Sequence, residues 1–512
     1  MAENLASFKV FCQGGLNTSR DVLSQGETQP GSAVALINYE PAVTGGYRKI
    51  NGFSNDYGTV TGTGNVLGVC VANGINDGIL ACRTPSSGNN YLHKWNSTTS
   101  AWDAVTTAGS PTMTGVTKVR FTKYNWGSPK VLLTDGINPA ATYDGTTYTQ
   151  ITHADAPTDP KYSHVYNNHM FLAGDPAEPT NLYFSAPYDE TSFAAADGAG
   201  VINVGFPVVA IKSFRDVLYI FGSNNIRKLV GDNISNFVLQ EVTDDLGCLA
   251  TDSVIEIGGD LLFLSQDGLR PISGTDKIGD VNLETVSKDI QSIFTDIVFD
   301  IDLEGLNAVV IRQKTQFRYF FAAADSQGII GGFRQTPNGL QFEYSQMLGI
   351  TATCSDSGYI GQNEFVIHGD SSGKVHRQEQ GNDFDGENIL SIFQTPFFHM
   401  QDPEQRKIFY TVATYLRSEG DNEIVMSAVY DYEDVDTLNP TNFNLSTTGA
   451  AAYYNEAIYN STAIYDGNPS PVQRTNISGS GKSASFRYVT NSSDASHSIQ
   501  GLVITFGVGD RL

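Results

Sequence analysis

The spacing in this sequence that comes nearest to chemistry is Gly479-Ser480-Gly481-Lys482-Ser483, the closing half of a phosphate-binding loop. Such a loop needs a Gly five residues ahead of the Gly-Lys pair, and a helix after it whose N-terminus helps hold the phosphate. Here Asn476 takes the first position and the strand-like SFRYVT follows, so nucleotide binding is not expected. Gly369-Asp370-Ser371-Ser372-Gly373-Lys374 reads as a turn between strands. Asn382–Glu387 (NDFDGE) gathers three acidic donors around a Gly but lacks the 12-residue ligand spacing of a calcium loop, so a surface turn is the reading. Of the eight histidines, His164 and His169 alone are close. Five apart on one strand, they would face opposite sides. No HExxH and no GxSxG occurs. Ser265-Gln266-Asp267-Gly268 lacks the Gly-x-x-Trp continuation of a sialidase-type Asp turn, and no spacing singles out a glycosidase pair among the many carboxylates. No catalytic, cofactor-binding or metal-ligating residue is therefore assigned, no cofactor is expected, and the chain is read as a non-enzyme.

What the sequence does repeat is a scaffold phrase. A short apolar run follows a polar residue and closes on Gly or Asp-Gly: Lys130–Gly136 (KVLLTDG), Asn168–Gly174 (NHMFLAG), Asp216–Gly222 (DVLYIFG), Asp260–Gly268 (DLLFLSQDG) and Glu364–Gly369 (EFVIHG). Each is too short for a helix and ends where a residue tolerant of φ > 0 can reverse the chain. Many such strands predict an all-β chain, a β-propeller or stacked sandwiches. The 24 Tyr and 28 Phe suit strands, and 40% hydrophobic residues suffice for a core.

Residues 1–60 read as an extended arm without a core of its own, broken by Gly14-Gly15, Pro30-Gly31, Pro41 and Gly45-Gly46, with one strand candidate at Ala33–Tyr39. Residues 61–390 hold strands spaced like those of propeller blades, enough for six or seven blades of about 45–50 residues. The Pro-containing stretch 151–160 is a connector. Met170–Ala173 with Asn181–Ser185, and Val217–Phe221 with Ile226–Val230, are the clearest hairpins. One segment departs from the pattern: in 282–298, Leu283, Val286, Ile290, Ile293, Phe294 and Ile297 form a helical stripe, with Asn282 placed to cap and Glu284 to suit the dipole. This predicts one amphipathic helix packed on the sheets. Residues 391–512 alternate cleanly, as in Ile408–Leu416 and Glu423–Tyr430, and predict a C-terminal β-sandwich-like platform with the last strand, Leu502–Gly507, inside a sheet. The polar, aromatic stretch 440–480 reads as a contact loop.

The formal net charge of −24 argues against a protein that grips nucleic acid, since phosphate binding needs Lys and Arg to release counterions. Cys12, Cys70, Cys82, Cys248 and Cys354 are odd in number and form no CxxC, so reduced, buried thiols are expected. The opening MAENLASFKVFCQGG has no signal-peptide pattern, and no apolar run reaches a membrane span.

The arm carries the most distinctive text. Gly14-Gly15-Leu16-Asn17, Ala35–Pro41 (ALINYEP) and Gly45–Phe53 (GGYRKINGF) resemble the opening of tail nozzle proteins of short-tailed bacteriophages, also called packaged-DNA stabilisation or tail-hub proteins. DVLYIFG…IRKLVG and the helix near Val286–Ile297 are similar to that family's propeller. Gln405-Arg406-Lys407 and Ser498–Ile504 are similar to its C-terminal portion. The resemblance implies a propeller body with a platform built from both chain ends, and a hexameric ring of copies below the portal and the tail adaptor protein. It implies that double-stranded DNA passes through without specific binding, that a tail fibre or tailspike attaches nearby, and that a needle or plug seals the tip. It implies a place in the virion tail, assembled in the host cytoplasm, and no catalytic residues; which residues line the nucleic-acid channel is not assigned. Negative charge on a channel wall would keep a duplex from sticking, and Tyr453–Tyr465 would suit subunit contacts. The alternative is a carbohydrate-binding or carbohydrate-cleaving β-propeller, which would favour exposed Trp platforms. Only Trp95, Trp102 and Trp126 occur. A tail-fibre protein would favour fibrous repeats, and none is present.

Overall fold

Strands take 51% of the chain and helices 7% in a computed structural model. It describes residues 5–42, 45–86, 91–109, 111, 113, 115–273, 285–300, 303–321, 327–336, 339–400, 402–434, 437–447, 451–452, 464–465 and 471–508, with the backbone alone at 297–300, 336, 339–340, 451–452 and 464–465.

Six small sheets are arranged as a six-bladed β-propeller. Blade 1 holds Thr63–Val71, Ile79–Thr84, Leu92–Asn96 and Ala101–Ala104. Blade 2 holds Thr106–Thr107, Arg120–Asn125, Pro129–Thr134, Ala141–Tyr143 and Thr147–Gln150. Blade 3 holds Tyr162–Tyr166, His169–Ala173, Asn181–Phe184 and Gly200–Asn203, and blade 4 holds Ala210–Phe214, Val217–Phe221, Ile226–Val230 and Val238–Thr243. Blade 5 is the three-stranded Ile255–Ile257, Asp260–Ser265 and Gly268–Pro271. Blade 6 takes Cys354–Ile360, Asn363–Gly369 and Val375–Gln378 and borrows Phe53–Ser54 from the arm as its outer strand.

The repeated phrase of the sequence is the strand next to the innermost one in blades 2 to 6. A blade is packed by a neighbour on each face, so its central strands lose the polar-apolar alternation and read as apolar runs. His169–Ala173 is buried at all five positions, and Val217–Phe221 at four of five. The seams are apolar: Leu132 and Ala140 meet Met170 and Leu172 between blades 2 and 3, and Phe221 meets Phe263 between blades 4 and 5. Ring closure rests on Val69, Val71 and Trp102 of blade 1 against Cys354 and Ile367 of blade 6. Arg83 crosses the same seam, donating from Nε to Gly64 O (2.9 Å) and from Nη2 to Ser372 O (3.1 Å).

Between blades 5 and 6 stands an antiparallel meander, Asn307–Ile311, Gln316–Phe320, Gln327–Thr336 and Gly339–Leu348. Val310, Phe317 and Tyr319 pack with Leu262 and Leu264 of blade 5, and Val309, Ile311 and Phe320 with Val366 of blade 6. The same meander supplies four strands of a nine-stranded sheet that continues through Ala35–Ile37, Ile389–Gln394, Ala484–Ser492, Glu423–Tyr430 and Phe443–Ser446. The sheets therefore cross the border drawn at residue 390. A seven-stranded sheet faces the nine-stranded one. In it His497–Val508 pairs with Lys407–Ser418 on one side and with the arm strands Leu5–Phe11 and Tyr47–Lys49 on the other. Both sheets alternate: Ile424, Met426, Ala428 and Tyr430 point in, against Val412, Leu416, Leu502 and Ile504.

The arm is thus part of a core rather than an appendage. Val10, Cys12, Leu16, Ala33, Leu36, Tyr39 and Tyr47 lie in the platform's apolar cluster. Its strand candidate divides into Ala35–Ile37 and Tyr39–Pro41, which enter different sheets, with Asn38 at φ 53° between them. The arm also holds a short helix, Val22–Thr28, capped by Asp21. In the predicted helical segment, a 3₁₀ turn at Lys288–Ile290 leads into an α-helix at Gln291–Asp300. Ile290 and Phe294 are buried and Val286 and Ile293 pack beside them, while Asn282, Leu283 and Glu284 lie outside the described residues. The contact loop proposed at 453–465 also lies outside them, except for the backbone of 464–465. Among the described residues no helix is long and apolar enough to cross a membrane.

Gly45 and Gly46 both have positive φ, but only Gly46 is crowded: a Cβ there would lie 2.2 Å from Ile499 O, while one at Gly45 meets nothing within 4 Å. Gly46→Ala should cost about 3 kcal/mol, and Gly45→Ala about 1 kcal/mol, in urea melts followed by fluorescence. Deleting residues 1–50 should abolish cooperative folding of the platform instead of leaving a folded propeller with a loose end. Circular dichroism and gel filtration of the truncated chain would check this.

Candidate functional site

The loops whose spacing resembled chemistry are satisfied internally. Asp431 Oδ1 accepts from the amides of Lys482 (2.6 Å) and Ser483 (3.0 Å), so the N–H groups that a phosphate would need already hold a carboxylate. Asp370 accepts from the amides of Ser372 and Lys374 and from His376 Nε2. Burial would raise its pKa, but these bonds outweigh burial and hold it well below the carboxylate range. Asp383 accepts from Gly386 N, Asp385 pairs with Lys374, and Asp267 pairs with Arg270 at the tip of a blade 5 hairpin. Among the described residues no group of three His, Cys, Asp or Glu could hold a metal ion. All five cysteines are free and buried.

His164 and His169 need a correction. They sit on two paired strands, not one: His164 opposes Phe171, and His169 is two residues from Phe171. Cross-strand partners share a face, so both side chains point toward blade 4, where His164 Nε2 meets Ser213 Oγ (2.7 Å) and the His169 ring packs on Phe237.

Two polar constellations remain, neither visible in the motifs. The first is a buried ion cluster where the arm, the meander, blade 6 and the platform meet. Glu40, 2% exposed, receives Arg48 (3.1 Å) and Lys314 (2.7 Å), with Arg318 at 3.6 Å. Arg48 also forks onto Glu419 (2.6 and 2.5 Å), and Arg318, fully buried, pairs with Glu379, which Lys314 also reaches. Three cations face three carboxylates. Burial would raise the Glu379 pKa, but Arg318 and Lys314 outweigh it and depress the pKa below its ordinary 4.5.

The second is a cavity of about 260 Å³ on the propeller axis, reached by the innermost strand of every blade and of the meander. Here Asp252 accepts from Lys118 (2.6 Å) and from Arg120 (Nε 3.0 Å, Nη2 2.8 Å), and Asp356 accepts from Lys123 (2.7 Å). The available sequence signal was KVRFTK, Lys118–Lys123: three cations within six residues of an acidic chain.

The chain matches no protein-family model, and no curated protein matches it. Among solved structures it is similar to the extracellular domain of the one-component system BT4673 from B. thetaiotaomicron (11% identity, TM-score 0.37, over 66% of this chain), and it spans 40% of that chain. It is also similar to the computationally designed Ika8 protein (8% identity, TM-score 0.34, 62% of this chain and 98% of that one) and to a chain of the mitotic checkpoint complex (11%, 0.36, 60% and 88%).

A carboxylate with a depressed folded pKa contributes stability that is fully present above its unfolded pKa and is lost as pH falls through the folded value. Glu379→Gln should therefore cost about 3 kcal/mol at pH 7, since it leaves the buried Arg318 with only its longer contact to Glu40 (3.6 Å). The gap to the parent should close as pH falls below 4.5. Denaturant melts of both proteins between pH 7 and pH 2 would measure it.

Proposed function

We propose that this protein is a structural component of a short-tailed phage virion, a tail nozzle subunit that assembles into a hexameric ring below the portal and adaptor and conveys DNA without specific binding. The reading is carried by one observation: the residues that resemble the nozzle family are spent on building the platform from both chain ends. Gly15 lies so close to the meander that a Cβ would sit 2.7 Å from Tyr344 N, and its amide donates to Tyr47 Oη (3.0 Å). Tyr47 is fully buried and donates to Gly31 O (2.7 Å), and Arg48 and Glu40 form the ion cluster. Motifs that build architecture rather than a reactive centre are what a building block needs.

Two further features favour assembly. Leu5 and Phe11 (70% exposed) stand on the outward face of an edge strand, and Val22 and Leu23 are exposed on the arm helix. The net charge of −24 gives each subunit a field that repels duplex DNA. The carbohydrate-binding reading finds less support, because Trp102 is buried and Trp95 packs edge-on against it.

Electron-microscope class averages of the purified chain mixed with a portal–adaptor complex test the proposal. The expected image is a six-fold ring appended to the portal end. Phe11→Asp should abolish that ring while shifting the melting temperature by less than about 3 °C, as an exposed substitution should. A chain that stays monomeric and ignores the portal would overturn the reading.

A further inference from the structure

Charge is divided unevenly along this chain. The platform strands Leu5–Phe11, His497–Val508, Lys407–Ser418 and Val472–Asn476 lie side by side in that order and contain none of the 55 acidic residues. Their register sets Lys9 and Arg474 at the two ends of one row on the outward face, with Phe11 and Tyr415 in the next row. Leu5, Phe11, Ile408 and Tyr415 are exposed on that face. Lys9 and Arg474 are exposed too, and neither has a carboxylate partner among the described residues. Arg417 differs, since Glu419 stands beside it at the end nearest the ion cluster. The outward face is therefore apolar and cationic in a chain of net charge −24.

Blade 3 is the opposite case. Residues 162–209, from its first strand to the start of blade 4, hold five carboxylates and no Lys or Arg, and of the five Glu190 is held by Lys130 of blade 2. Between the outer strands of blades 3 and 4 lies an apolar cleft of about 270 Å³, whose lining includes Val201, Leu229, Ile234 and Leu239. Val201 and Ile234 are exposed. Asp232 is exposed two residues before Ile234, its carboxylate held by the side-chain amides of Asn233 and Asn236. Glu241 shares the strand face of Leu239. Arg227 opposes it across the strands at 3.6 Å but lies closer to Asp244, at 2.7 Å. Three carboxylates thus meet one cation, and the rim of the cleft is negative.

We infer that two copies of this chain dock head to tail, the outward platform face of one against the blade 3–4 rim of the next, with Phe11 seated in the apolar cleft and Lys9 and Arg474 facing its acidic border. The two surfaces complement each other in charge, and the cleft has room for one large aromatic side chain as an anchor. Pairing two platform faces across a two-fold axis would instead set Lys9 and Arg474 against their own copies, which like-charge repulsion disfavours. A contact between two different surfaces is the kind that closes into a ring. The inference rests on the nozzle reading for that closure and names the interface.

Sedimentation velocity of the full-length chain tests this. The expected result is self-association that weakens at least about tenfold between about 0.05 M and 0.5 M salt. Phe11→Asp removes the anchor and Ile234→Asp spoils the cleft, so each variant alone should sediment as a monomer. An equimolar mixture of the two should give a dimer that grows no further, because each supplies the surface the other lacks. The mixture also shows that both variants are folded. A wild-type chain that stays monomeric at every concentration and salt, association untouched by either variant, or a mixture that stays monomeric would overturn the inference. The nozzle reading is scored separately on the portal–adaptor complex. A six-fold ring there that both variants still form would overturn this interface and leave that reading standing, and a wild-type chain that associates head to tail in solution but forms no ring there would do the reverse.

Discussion

Glu40 is the charge on which the architecture turns. It lies on the arm, 2% exposed, and the cations around it come from different parts of the fold: Arg48 from the arm, Lys314 and Arg318 from the meander. Those cations in turn hold Glu419 of the platform and Glu379 beside blade 6. An ion cluster removed from water adds little net stability over apolar packing, but it penalises every arrangement that leaves one member unpaired. Apolar faces will accept one another in several registers; six charges that must be matched will not. The cluster therefore specifies how arm, ring and platform seat together, while the apolar clusters provide most of the energy.

The same logic explains why the arm can be both the least regular part of the sequence and among the best buried. Its strands are two to seven residues long and could not stand alone. They gain partners from segments more than 300 residues away: Asn38 Nδ2 donates to Leu348 O and Leu390 O, and Tyr39 Oη meets His497 Nε2. Phe53–Ser54 then completes blade 6, so one segment both seals the ring and ties it to the platform.

These distances also decide what could be read from the sequence. The strand next to the innermost one in each of blades 2 to 6 was legible because burial on both faces writes a continuous apolar run, and Val217–Phe221 and Glu423–Tyr430 fall at the bounds their patterns predicted. The arm strands were not, because Tyr39–Pro41 and Tyr47–Lys49 have no local periodicity: they pair with each other, and Tyr47–Lys49 joins His497–Val508 from far along the chain. The meander was placed in the propeller by its spacing, and only hydrogen bonding shows that it also founds the nine-stranded sheet. The ion cluster and the axial cavity were hidden for the same reason. Glu40, Arg318 and Glu379, or Arg120, Asp252 and Lys212, lie far apart in sequence and match no motif. The loops that did match, such as Gly479–Ser483, turn their amides to their own carboxylates.

The central claim is that the arm is a folded member of the platform rather than a tether. Hydrogen–deuterium exchange read by mass spectrometry tests it most directly, through the amides of Leu16, Ala33, Asn38 and Ile50, which donate to Tyr344 O, Gly15 O, Gln346 O and Asn38 O. The account predicts that peptides spanning these amides exchange as slowly as those from His497–Val508, and open with them in one cooperative unit. Complete exchange of the arm within seconds, while His497–Val508 stays protected, would contradict it.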